Sequence, residues 1–350
     1  MTKNYKDLLS KLGQENQQVL NQNLNDKVLI IDGLNMYIRV FGAVPALNDD
    51  GEHCGGITGF LLSTAATIRN LNPTRVIIVF DGKGGSHRRK KMYSDYKGGR
   101  TGLTRLNRLQ GYEDIEDQQE SMRKQFIRLY EYLQNLPVTL LQVDYVEADD
   151  LMAWMANHYF KNEVILLSSD KDFLQLVNER IKVYSPIKKI MYDESIVKEE
   201  WGVMPQNLIW YRVIMGDSSD NIKGVNGIGK KTILGKMDFL NDGELDYNEF
   251  ITGIKERCDD KLSKKLLESV ETIELNYDLM QLKLPEISTS IISNTRDILD
   301  NHHPKLNLLE FKKMFMYDKL YTAFANVDSW LRNSFMRLDN LLKNNFEKTK

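Results

Sequence analysis

Apolar and polar positions alternate along this chain in blocks. Short runs rich in Val, Ile and Leu occupy 27–32, 75–80, 138–143, 163–168 and 181–184. Their length and near-continuous apolarity predict strands buried on both faces of a parallel sheet. Apolar residues at helical spacing fill 57–70, 118–135 and 148–160. This alternation, from Lys27 to about Tyr184, predicts an α/β domain with a mostly parallel central sheet flanked by helices. After about Val203 the pattern is helical, over 205–215, 229–237, 261–283 and 326–345.

Three of the apolar runs end in an aspartate: Val28 to Asp32, Val76 to Asp81, and Val164 to Asp170. Ligands of open α/β sheets sit at the carboxyl ends of strands, so these runs deliver acid to one edge. More acid arrives at Glu147, Asp149 and Asp150, at Asp172, and at Asp217 and Asp220. A single aspartate after a strand is more often a helix cap or a turn residue. Asp32-Gly33 reads that way when taken alone, and Asp149-Asp150 could simply favour a helix start. Capping does not require the whole set. Carboxylates gathered in one cleft repel, by about 1 kcal/mol per pair at 4 Å in water and more when desolvated. Hard divalent cations with oxygen ligands resolve that repulsion. Two such ions about 3.5–4 Å apart would clamp the attacking and leaving oxygens of a phosphoryl transfer.

Composition narrows the setting. The 350 residues carry a net charge of −2, which neither favours nor excludes a nucleic-acid partner. Two cysteines, Cys54 and Cys258, without metal-type spacing, predict a reducing, cytoplasmic setting, and the five scattered histidines argue against zinc. No apolar stretch is long enough to span a bilayer. The first 26 residues, with nine Asn or Gln, lack the apolar core of a signal peptide and read as a polar extension.

Residues 82–111 break the α/β pattern and hold seven of the 22 glycines. Between Lys83 and Arg108 stand nine Lys or Arg against one acid, Asp95. The bland reading is a solvated loop. Its position directly after Asp81 points instead to a cationic strip at the acidic edge, suited to a polyanionic substrate.

The segment Gly224-Val-Asn-Gly227-Ile-Gly229-Lys230-Lys231-Thr nearly fits a phosphate loop, but Lys231 stands where Ser or Thr is needed and no strand precedes it. It reads better as a glycine turn between helices, with Gly227, Gly229, Lys230 and Lys231 gripping backbone phosphate without reading bases. Asp238 to Glu249 has the length of a calcium loop, but Leu240 occupies a ligand position, so that reading is rejected.

At this point the chain resembles the 5′-nuclease (flap endonuclease) family, and in particular its phage-encoded branch known as RNase H or 5′→3′ exonuclease. The residues that carry the resemblance are Glu147-Ala-Asp149-Asp150, Ser-Ser-Asp170-Lys-Asp172, and Gly216-Asp217-Ser-Ser-Asp220 followed by the glycine turn. It covers about 27–240. It implies a divalent-metal-dependent phosphodiesterase acting at the 5′ end of nicked, flapped or RNA-primed duplexes, as in primer removal during DNA replication. It implies that Asp32, Asp81, Glu147 and Asp149 hold one Mg²⁺ (or Mn²⁺). Asp150, Asp170, Asp172, Asp217 and Asp220 would hold a second, directly or through water. The basic insertion, about 82–117, resembles the family's helical arch. Tyr96-Lys97-Gly-Gly-Arg100 matches its Tyr-Lys-x-x-Arg, so Lys97 and Arg100 would contact the scissile phosphate, with Arg88 and Arg89 as further DNA contacts. The glycine turn resembles the family's helix–hairpin–helix element, which often holds a K⁺ ion.

The expected organisation is a polar extension (1–26), a catalytic α/β nuclease domain (27–203), a helix–hairpin–helix region (204–260) and a C-terminal helical region (261–350). Lacking the length for an attached polymerase, the protein would work as a free-standing monomer, in host cytoplasm if phage-encoded. A single-strand-binding protein or sliding clamp is the kind of partner that 261–350 would meet, although no motif marks either. The aromatic and leucine residues of 329–346 read as packing. Two competing readings remain: a non-catalytic structure-specific DNA-binding protein, which needs none of the acids, and a single-strand ribonuclease on the same core fold, which needs neither arch nor hairpin.

Overall fold

The computed structural model describes residues 22–98, 105–109, 112, 114–324 and 326–347. The strands are β1 (Lys27–Asp32), β2 (Arg75–Asp81), β3 (Thr139–Val143), β4 (Glu163–Leu167), β5 (Ile181–Ser185) and β6 (Ile190–Tyr192). They order as β3-β2-β1-β4-β5-β6 in one mostly parallel sheet. The five expected strands are present, each within about a residue or two of its predicted ends. The sixth was not expected. It is three residues long, follows a turn in which Lys189 takes a left-handed φ of 57°, and pairs antiparallel to β5. A strand so short carries almost no periodicity to read.

Between the strands run α1 (Gly33–Ala43), α2 (Gly55–Leu71), α3 (His87–Met92), α4 (Ile115–Gln134) and α5 (Ala148–Trp154). The last continues as a π-helical turn, Met155–Tyr159. α1 was hidden by the turn-like Asp32-Gly33 pair; Asp32 in fact caps it, accepting from Asn35 N at 3.1 Å. Beyond β6 come α6 (Glu194–Trp201), α7 (Leu208–Met215), α8 (Lys230–Lys236), α9 (Tyr247–Arg257), α10 (Asp260–Leu267), α11 (Val270–Met280), α12 (Thr289–Asn301), α13 (Leu308–Tyr317) and α14 (Val327–Glu347). The helix expected over 261–283 is therefore two. The break falls at Ser269, whose hydroxyl donates to Lys265 O at 3.0 Å, a local bond that competes with helix continuation. The rejected calcium loop ends in a capping box, with Asp246 and Glu249 closing the start of α9 reciprocally.

The chain forms two compact units, each assembled from separated segments. The first comprises 1–78, 104–141 and 294–350; the second comprises 79–103 and 142–293. In the first unit Arg69 of α2 donates to Ser334 of α14 at 2.6 Å, and Asp318 accepts from Arg128 and Tyr132 of α4, both at 2.7 Å. Trp330 packs against Phe311, Phe324 and Phe335, and Leu331, Leu341 and Leu342 are buried, in line with the packing reading of this stretch. No helix among the described residues is long and apolar enough to cross a membrane.

The core of the second unit centres on Trp210 of α7. Its ring stacks between Phe250 of α9, at 4.3 Å, and Tyr277 of α11, at 4.9 Å, and its indole N–H donates to Leu245 O at 3.1 Å. Removing a buried aromatic ring leaves a cavity costing about 3–5 kcal/mol. Trp210→Ala is expected to lower the unfolding free energy by about that amount in urea titration. A loss below about 1 kcal/mol would show that this stack does not organise the helices around it.

Candidate active site

Eight of the nine acids belong to the second unit, in two groups. The first group forms where β2 and the loop before α5 meet. Asp81 closes β2 and accepts from the backbone N–H of Ala148 at 2.8 Å, so one carboxylate oxygen anchors the start of α5. Gly82 follows because a side chain there would meet Val143 O at 2.1 Å. The spacing Glu147-Ala-Asp149-Asp150 puts three acids in the opening turn of α5. Glu147 and Asp150 are buried, which is tolerable only with countercharge.

That countercharge is Arg89 of α3, itself 3% exposed. One of its terminal nitrogens donates to Glu147 Oε2 at 2.9 Å and Asp150 Oδ2 at 2.8 Å; the other donates to Asp150 Oδ1 at 2.7 Å. Its Nε donates to Leu279 O at 2.8 Å. Glu147 Oε2 also accepts from Tyr96 OH and Lys97 Nζ, both at 3.3 Å. Burial, then the neighbouring Glu147 charge, drives the Tyr96 phenol far up, so it stays a neutral donor. The other Glu147 oxygen, Oε1, is buried with no hydrogen-bond partner.

The second group is built on the loop after β4. Asp170 N donates to Ser168 Oγ at 3.0 Å, and Asp172 N donates to Asp170 Oδ1 at 2.8 Å. Asp172 and Asp217 are bridged by Arg212 of α7, which donates to Asp172 Oδ1 from Nε at 2.9 Å and also to Asp217 Oδ2. Ser219 N donates to Asp217 Oδ1 at 2.7 Å. Burial pushes the Asp172 carboxyl up to about 7, against the pull of Arg212. Burial also raises Asp170, with Asp220 and Asp217 adding to the rise. Asp217 ends below its ordinary value: burial raises it, but the bonds from Ser219 and the charge of Arg212 outweigh that. The two groups touch through the backbone of Lys97, whose N–H donates to Asp220 O at 2.9 Å.

Asp32 lies in the first unit, buried at the end of β1. Arg100 falls outside the described residues. Arg89, expected on the DNA-facing surface, is a buried partner of Glu147 and Asp150, so that expectation is corrected: the two inward acids hold it inside. Arg88 pairs with Glu286 at 3.2 Å. Lys230 and Lys231 are exposed at the start of α8, and Gly227 takes a left-handed φ of 66°. Arg212 was missed. The available signal was one charged residue inside the apolar run Leu208–Met215, five positions before Asp217, where burial demands a partner.

Among the described residues no group of three or more His, Cys, Asp or Glu forms a ready-made metal cage. Guanidinium groups stand between the carboxylates instead. The donor set nonetheless suits hard cations: it is all oxygen, one buried carboxylate oxygen lacks a donor, and burial raises the Asp170 and Asp172 carboxyls above their ordinary values.

A family model described as the N-terminal resolvase-like domain of 5′-3′ exonucleases matches residues 27–202. A 5′-3′ exonuclease from Buchnera aphidicola (Acyrthosiphon pisum) is 30% identical over 271 residues, covering 76% of this chain and 89% of that protein. DNA polymerase I of Bacillus subtilis is 30% identical over 270 residues, covering 75% of this chain but 28% of the polymerase. In fold, the bacteriophage T5 flap endonuclease, crystallised with DNA and metal ions, aligns with a TM-score of 0.58 at 20% identity, covering 84% of this chain and 99% of that one.

The raised Asp172 gives a signed pH dependence in metal-free buffer. Its folded value near 7 lies above its ordinary 3.8, so its stabilising contribution is full below about 4 and is lost as pH rises through about 7. In EDTA, Tm of the natural protein should therefore fall relative to Asp172→Asn between pH 5 and pH 8. A difference that stays constant across that range would contradict the raised value.

Proposed function

The chain belongs to the 5′-3′ exonuclease family, and we propose that it is a divalent-metal-dependent, structure-specific 5′ nuclease. Its substrates would be nicked, flapped or RNA-primed duplexes, hydrolysed from the 5′ end. Similarity to about a quarter of the length of DNA polymerase I supports a role in primer removal during replication. The observation that carries the reading is the pairing of buried and half-buried acids with buried arginines inside the family domain and its helical continuation.

In this reading Asp81, Glu147 and Asp149 serve one Mg²⁺, and Asp150, Asp170, Asp172, Asp217 and Asp220 serve a second, some through water. Asp32 is assigned to the first on its motif position alone. Bound, such ions lower the pKa of a water and balance charge on the attacking and leaving oxygens. The chain's own residues do the rest. Lys97, now 3.3 Å from Glu147, is placed to exchange that carboxylate for the scissile phosphate. Arg100 is assigned beside it from the sequence. Tyr96, neutral and buried, fixes the backbone that carries Lys97. Gly227, Gly229, Lys230 and Lys231 grip duplex backbone as a helix–hairpin–helix turn, which would also suit a K⁺ ion. Such contacts set register and affinity but not sequence preference.

Asp149→Ala and Asp172→Ala are each expected to reduce Mg²⁺-dependent cleavage of an end-labelled 5′-flap duplex at least about 100-fold while retaining flap binding. Undiminished cleavage by both variants would reject the nuclease assignment. Reversing the charge of Lys230 and Lys231 should weaken binding equally across sequences and flatten the log–log salt dependence by about one unit per lysine. An unchanged slope would show that the turn does not touch phosphate.

A further inference from the structure

The loop carrying Asp217 and Asp220 is short, glycine-rich and connected at both ends to helical structure. Its two stems are joined by the two-residue pairing of Gly216–Asp217 with Ile222–Lys223. Gly216 takes a φ of 72°, and a side chain there would meet Gly224 N at 2.4 Å. Nothing so small holds its shape without outside support.

We infer that Asn276 of α11 is the positioning residue for this loop. Asn276 is 2% exposed. Nδ2 donates to Val213 O and to Lys223 O, both at 2.8 Å. Val213 lies in α7 one residue after Arg212, and Lys223 lies just beyond Asp220. One buried amide therefore pins the entry and the exit of the acid loop. It uses both of its N–H donors, which no other uncharged side chain of that length except an amide can supply.

The same helix braces the other acid groups as it ends. Leu279 O receives Arg89 Nε at 2.8 Å, and Met280 O receives the Gln175 amide at 3.0 Å. That Gln175 amide also donates to Asp172 O at 2.8 Å, and its carbonyl accepts from Leu282 N at 3.0 Å. Asn276 and Gln175 thus fix backbone carbonyls beside Asp217, Asp220 and Asp172 while touching none of the carboxylates. Their effect on chemistry would pass through the spacing of those acids.

This rests on the reading that Asp217 and Asp220 serve a divalent ion. The test is Mn²⁺ binding to the free protein, followed by electron paramagnetic resonance, on four proteins: the natural chain, Asn276→Leu, Asp217→Asn, and Leu266→Ala. The leucine keeps the shape of Asn276 but removes its donor from both carbonyls. Leu266, fully buried in α10, is the control for lost stability alone. We expect Asn276→Leu to bind the Mn²⁺ assigned to Asp217 and Asp220, identified by its loss in Asp217→Asn, at least tenfold less tightly with its circular dichroism intact, and Leu266→Ala to bind as the natural chain does. If Asn276→Leu does not fold, Asn276→Ser, which keeps one donor, is read by the same criterion. Unchanged Mn²⁺ affinity in the folded Asn276 variant overturns the inference, as does an equal loss in Leu266→Ala. If Asp217→Asn also leaves affinity unchanged, the metal reading of that loop fails too, which separates the two failures.

Discussion

The second unit depends on countercharge for its buried acids. Moving a carboxylate out of water costs several kcal/mol even after relaxation, and mutual attraction offsets that only when geometry is good and the remaining lone pairs are satisfied. Arg89 supplies the geometry for Glu147 and Asp150, with three donated bonds to carboxylate and a fourth to Leu279 O. Arg212 does the same for Asp172 and Asp217. A lysine could not, because a single ammonium lacks the planar fork that reaches two acids and a carbonyl at once. The compensation is incomplete by construction. Glu147 Oε1 has no donor, and Asp172 is left with a carboxyl poised near neutrality. In the proposed reading, that residual deficit is what a divalent cation would fill.

The backbone serves this arrangement at each step. Strands β2 and β4 bring Asp81 and Asp170 to their carboxyl ends, and tight turns follow at once, one of them requiring Gly82. Helix α5 starts where Asp81 caps it, which sets Glu147 and Asp150 facing Arg89. Helix α7 supplies Arg212 and then breaks at Gly216, so the arginine and Asp217 come from one short stretch. In the proposed reading, reaction chemistry and fold stability therefore draw on the same few side chains.

Much of this was legible in the residues. Val-rich runs ending in aspartate carry both a strand signal and a chemical one, and Glu147-Ala-Asp149-Asp150 with Asp217-Ser-Ser-Asp220 marks the loops that complete the set. The arginines were not legible in the same way. Arg89 sits in His87-Arg-Arg-Lys-Lys91, a run that looks like solvated basic surface; which of four consecutive cations turns inward depends on the helical phase of α3 against acids some sixty residues away. Arg212 was readable in principle as a charge inside an apolar helix. The helices Thr289–Asn301 and Leu308–Tyr317 were missed, although the first is clearly amphipathic; partners such as Arg75, which donates to Leu299 O, and Tyr132, whose ring meets Phe311, lie far off in the chain. Likewise the break at Ser269 needed knowledge of a local hydroxyl bond that competes with the helix.

The most direct test of the account is anomalous diffraction from crystals of the metal-loaded natural protein, collected with Mn²⁺ in place of Mg²⁺. The account predicts two manganese peaks per chain: one coordinated by acids from the set Asp81, Glu147 and Asp149, the other by acids from Asp150, Asp170, Asp172, Asp217 and Asp220. Crystals of active protein that show no manganese at these carboxylates, or that place it elsewhere on the chain, would contradict it.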